Sequence, residues 1–203
     1  LSAALMRLGQ RDKAEPYMLK ALEHDPTDID ILSNYGLLRA SRGDLVQAEV
    51  LLRRALHKAP GFMQAWFNLG LVMRSQARLE ATERAYLSAL EVDGDNPEIL
   101  LNYGALLVEF HRFIEAEQCV RKVLSLRPDY INAHIGLGML LKDQGRMQES
   151  MATLRRAIEI DPQEPSAHSS LLFVINCIPD MDPYERFAAY QEFNQRFAVP
   201  LHK

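Results

Sequence analysis

Three asparagines, Asn34, Asn68 and Asn102, stand 34 residues apart along a chain of 203 residues. A side-chain amide carries both a donor and an acceptor, so it can pair with the peptide group of an extended polypeptide whatever that polypeptide's sequence. Other stretches suggest chemistry at first sight. Gly136-Leu137-Gly138 begins like a nucleotide-binding loop but lacks the third glycine of that motif. Asp93-Gly94-Asp95-Asn96 begins like a calcium loop, yet Pro97 follows and no terminal glutamate stands at the required spacing. Cys119 has no histidine at metal or nucleophile spacing and reads as a small packing residue. The acids Glu23, Asp25, Asp28 and Asp30 read as helix caps.

The elements that must hold the asparagines keep the same interval. Gly36, Gly70, Gly104 and Gly138 are each 34 residues after the last, and Pro26, Pro60, Pro128 and Pro162 follow the same clock, with Gly94 in the vacant slot. Small residues keep time between them, as in Ala14, Ala48 and Ala116, or Ala55, Ala89 and Ala157. Apolar residues recur at three and four, as in Leu45, Leu51, Leu52 and Leu56, which is the pattern of an amphipathic helix. The period therefore predicts pairs of helices of about 14 residues, joined near Gly43 or Gly145 and closed by proline. Small residues allow the paired axes to cross closely. One such hairpin cannot bury its own apolar face, but a stack of them can.

Trp66-Phe67-Asn68-Leu69-Gly70, together with the phased alanines and prolines, resembles the tetratricopeptide repeat over about 175 residues. The resemblance implies an all-α, right-handed superhelix of antiparallel helix pairs with a concave inner wall. It places a partial repeat at 1–28, full repeats at 29–62, 63–96, 97–130 and 131–164, and a partial repeat helix with a junction helix at 165–203. In that register Leu1 is the seventh residue of a unit, so the array is expected to begin midway through a helix, and Pro16 falls within a second helix.

The sixth residue of each unit faces the groove in this fold: Asn34, Asn68 and Asn102, then Gly136 and Ser170. Neighbouring first helices lie about 8–10 Å apart and an extended peptide advances about 3.3 Å per residue, so one asparagine would meet roughly every third residue of a bound strand. Each bond contributes about 0.5–1.5 kcal/mol, so the three would hold many sequences loosely. An asparagine here can also bond to the neighbouring unit. The second positions, Asp30, Gln64, Glu98 and Asn132, do not form the cationic clamp that a chain-terminal carboxylate needs.

The clock breaks near the end, where Leu172 takes the glycine slot. Asp182, Pro183 and Glu185 then mark a strong helix start. The helix expected from 183 to about 198 carries Phe187, Tyr190, Phe193 and Phe197, enough aromatic surface to cover the last repeat and a further surface besides. The segment from His168-Ser169-Ser170-Leu171-Leu172-Phe173 through Asn176, Pro179-Asp180 and Phe187-Ala188-Ala189-Tyr190 to Arg196-Phe197-Ala198 resembles a known junction. It is the junction of bacterial SPINDLY-type O-linked N-acetylglucosamine transferases, where repeats meet a nucleotide-sugar-binding domain. That resemblance implies a substrate-recruiting arm for a catalytic domain absent here, with UDP-GlcNAc as donor to serine or threonine. It matches His168 to a histidine considered for acid–base work, since an imidazole can accept a hydroxyl proton near neutral pH. The alternative is a free-standing adaptor that assembles a protein complex.

Composition narrows the partners. The net charge is −4 and the longest basic runs are pairs such as Arg53-Arg54, which argues against a nucleic-acid surface. No apolar run approaches the roughly 20 residues of a membrane helix. Two unpaired cysteines fit a reducing, cytoplasmic setting. The expected partners are polypeptides in the groove, with self-association compatible with the pattern. No cofactor or metal site is read in the chain itself.

Overall fold

In the computed structural model, which describes residues 11–198, the 34-residue clock becomes a succession of helices. They are α1 (Arg11–His24), α2 (Ile29–Ser41), α3 (Leu45–Lys58), α4 (Met63–Ser75), α5 (Leu79–Val92), α6 (Pro97–Glu109), α7 (Phe113–Leu126), α8 (Ile131–Asp143), α9 (Met147–Ile160), α10 (Pro165–Asn176) and α11 (Pro183–Phe193). There is no strand among the described residues. The all-α class is as the periodicity predicts. The chain divides into two compact units, Leu1–Ile99 and Leu100–Lys203, with the boundary inside α6. The start of the first partial repeat, including Leu1, and the last residues of the tail lie outside the described residues.

Within each full repeat a first helix of 13 residues pairs with a second of 14, as α4 with α5 or α8 with α9. The glycines explain the closeness of the pairs. A Cβ on Gly70 would lie 2.4 Å from the Tyr86 ring, and one on Gly138 would lie 2.6 Å from Leu154 Cγ. Gly104 is looser, its nearest neighbour being the Ala116 carbonyl oxygen at 3.5 Å. Opposite the glycines sit the small residues Ala48, Thr82, Ala116 and Ser150, all fully buried. Ser150 donates its hydroxyl to the Gly138 carbonyl at 2.6 Å, which fastens α8 to α9.

Each pair turns through a residue with left-handed backbone. Gly43 and Gly145 supply it with φ of +85° and +77°, whereas Ala77 and His111 occupy the same slot at +56° and +58°. An L-residue pays about 1–2 kcal/mol for that conformation. Asp28 and Asp44 cap α2 and α3 by accepting from the Ile31 and Gln47 N–H groups. The turn read as a false calcium loop is also capping: Asp93 accepts from the Asp95 N–H, and Asn96 from those of Glu98 and Ile99.

Arginine is a poor first residue for a helix, yet Arg78 and Arg146 stand at the N-caps of α5 and α9. The reason lies one repeat back. Arg146 Nη1 donates to Glu117 on α7 at 3.0 Å, Gln144 joins the same carboxylate at 3.1 Å, and Arg121 closes it from the next turn. Arg78, Gln76 and Arg53 surround Glu49 on α3 in the same way. Burial pushes the Glu117 carboxyl upward, but the bonds from Gln144, Arg146 and Arg121 outweigh it and hold the group below its ordinary value. Glu49 is held low by the corresponding balance.

Candidate partner-binding surface

The three asparagines do not stand alike. Asn68, on α4, is 2% exposed. Its Nδ2 donates to Ser33 Oγ on α2 at 3.0 Å, and its Oδ1 accepts from Gln64 Nε2 at 3.1 Å. The donor end of that amide fastens α4 to α2, and the acceptor end is held within α4 itself. Asn34, on α2, is half-buried and its amide makes no hydrogen bond to another described residue. Asn102, on α6 in the second unit, is half-buried and engaged within the chain. At the same register on α8, a Cβ on Gly136 would meet nothing within 4 Å, so the helix presents open backbone there. Phe173 on α10 is 50% exposed, with the Lys142 ammonium 4.9 Å from its ring centroid.

The fourth residue of a repeat has a consistent task where it carries a ring N–H. Trp66 Nε1 donates to the Pro60 carbonyl at 2.7 Å. His134 Nε2 lies 2.7 Å from the Pro128 carbonyl oxygen, and His168 Nε2 lies 3.1 Å from that of Pro162. A carbonyl oxygen only accepts, so both imidazoles carry their proton on Nε2. His168 is 4% exposed, and Phe197 meets it edge-on with centroids 5.1 Å apart. Arg196 also donates to the Pro162 carbonyl. The structure thus places His168 at a helix-to-turn joint shared with Trp66 and His134.

The tail begins as the sequence predicts: Asp182 accepts from the Tyr184 N–H at 3.0 Å, with Pro183 at the first helical position. The α-helix then ends at Phe193, and residues Asn194–Ala198 form a π-helical turn instead of continuing it. That wider turn carries Arg196 and Phe197 to Pro162 and His168. The aromatic stripe is divided. Phe193 meets Phe197 at a tilt of 50° with ring centroids 5.1 Å apart, and the Tyr190 hydroxyl accepts from Asn176 at 2.6 Å. Phe187 and Tyr184 remain 62% and 84% exposed, and Ala189 is the side chain that α11 packs against the core of Met151, Leu154, Val174 and Ile175.

Cys119 packs 3.6 Å from where a Gly104 Cβ would sit, and burial pushes its thiol above the ordinary value. No described helix is long and apolar enough to cross a membrane.

Two family profiles, each described as tetratricopeptide repeat, match this chain over residues 107–172 and 2–61. No curated protein sequence matches it. Among solved structures it is similar to YrrB, described as a TPR protein with an unusual peptide-binding site, at 18% identity and a TM-score of 0.66. That match covers 89% of this chain and 92% of YrrB. The likeness to pilF of Pseudomonas aeruginosa has 22% identity and a TM-score of 0.72, covering 84% and 75% of the two chains. An RS-1 MamA double mutant matches at 14% identity with a TM-score of 0.73, over 86% and 97%. At these identities the likeness establishes the fold.

Proposed function

We propose that this chain, which belongs to the tetratricopeptide-repeat family, is a free-standing scaffold that holds other polypeptides against its first helices. The observation that carries the reading is Asn34: a half-buried amide whose donor and acceptor are both unused among the described residues. A strand lying across α2 would satisfy it through main-chain groups, at about 0.5–1.5 kcal/mol per bond. In the second unit the open backbone at Gly136 and the exposed Phe173 supply apolar contact for a partner. Asn68 contributes by fixing the spacing between α2 and α4. YrrB, of like fold, is described as having a peptide-binding site. The test is anisotropy with short labelled peptides of unrelated sequence. The reading expects weak binding that survives changes of side chain and is lost when backbone N–H groups are methylated. Binding indifferent to methylation would overturn it.

A narrower reading is supported by the junction resemblance of residues 168–198 and by Tyr184 and Phe187, which the repeats leave uncovered. In it the chain recruits substrates for a protein O-GlcNAc transferase that uses UDP-GlcNAc, with His168 near the acceptor hydroxyl. Transfer of labelled N-acetylglucosamine to protein by the full gene product, reduced by His168→Gln, supports it; the absence of transfer counts against it.

A further inference from the structure

The fourth position points to a second, separate site. In α4, α8 and α10 the residue there is Trp66, His134 or His168, whose ring fills the space above the preceding turn and donates to a proline carbonyl. In α2 it is Leu32, which has no N–H, and the Pro26 carbonyl accepts instead from Arg54 Nη2 at 2.9 Å. A crevice of about 440 Å³ lies beside Leu32, at the register where α4, α8 and α10 carry a ring and α6 carries Leu100. Its floor is Pro26, Leu32 and the half-exposed Val50, and its rim is Arg53, Arg54, His57 and Lys58.

The rim is cationic on a chain whose net charge is −4. The nearby carboxylates are already engaged: Glu49 by Arg53 and Arg78, and Asp25 by the N–H and hydroxyl of Thr27. Lys58 feels Asp25 only through space, and His57 has no partner among the described residues. The volume lies at the lower end of the roughly 300–1,000 Å³ of ligand pockets. An apolar floor has no use for a phosphate, and a nucleic acid needs a longer track of cations than this one.

We propose that this crevice docks an acidic peptide segment of a partner protein, which inserts one aromatic side chain over Leu32 and sets its carboxylates on the Arg53–Lys58 rim. The site is distinct from the Asn34 face and goes beyond the scaffold reading given above.

The probe is a fluorescein-labelled acidic peptide, Glu-Asp-Trp-Glu-Asp, titrated with the 203-residue chain. Its all-amide counterpart and its alanine-for-tryptophan counterpart should each bind about tenfold more weakly or worse. Leu32→Trp, which rebuilds the arrangement of Trp66, should lower affinity about tenfold without lowering the melting temperature. His57→Gln with Lys58→Gln, both on the surface, should cost about threefold or more, and decides the matter if the tryptophan variant does not fold. Asn34→Ala should leave this binding unchanged, which separates failure here from failure of the first-helix surface. Equal binding of the amide peptide, undiminished binding by either variant, or equal binding of a thymidine oligomer of the same charge would overturn the proposal.

Discussion

Asn68 reaches across to Ser33, amide to hydroxyl at 3.0 Å, and so joins α4 to α2. Its oxygen is taken by Gln64, so a partner finds neither end free. Asn68→Ala strands the buried Ser33 hydroxyl and should cost about 1–2 kcal/mol. For a chain of this size that is about 2–4 °C of melting temperature per kcal/mol, read in a thermal melt.

Two glycines on α8 should answer alanine oppositely. Gly136→Ala adds a methyl in open space and removes backbone freedom, so it should stabilise by about 0.5–1 kcal/mol. Gly138→Ala drives a methyl into Leu154 and should destabilise by about 1–3 kcal/mol. Urea titration of the pair compares one helix under one chemical change.

The left-handed turns offer a gain. Ala77→Gly and His111→Gly relieve positive φ and should each stabilise by about 0.5–1 kcal/mol, net of the freedom glycine adds to the unfolded chain. Gly43→Ala should do the reverse. Midpoints of chemical denaturation check all three.

The glutamate clusters set an acid limit. Glu117 is held below its ordinary value when folded, so its contribution is present above the unfolded value, about 4.3, and is lost as pH falls through the folded one. Glu117→Gln should melt below the parent at neutral pH, and the gap should close on acidification. A gap that stays constant with pH would assign the loss to packing.

Much of this fold is readable from spacing because every repeat solves the same burial problem. Glycine sits where helices cross, proline after the second helix, and the helix starts at Ile29, Met63, Pro97 and Ile131 keep the interval of the glycines. The Glu49 and Glu117 clusters were signalled too, with glutamate and arginine recurring at fixed offsets, but charged residues on helices read as solvated. The asparagines share a register, yet period alone does not say whether a neighbour such as Ser33 satisfies the amide. For His168 the signal was its place six residues after a proline, as for Trp66, which weighs toward a joint beside its resemblance to a base. Asp182, Pro183 and Glu185 mark the right start of α11, but the aromatic stripe does not give the phase that turns Ala189 inward and Phe187 outward. The π-helical turn at Asn194–Ala198 has no sequence signature that spacing exposes.

The most direct test of the scaffold account sets Asn34→Ala beside Asn68→Ala against one bound unstructured peptide. Asn34→Ala should weaken binding about threefold or more while leaving the melt unchanged, and Asn68→Ala should lower the melt. If Asn34→Ala binds the peptide as the parent does, the face of α2 is not where polypeptide is held and the account fails.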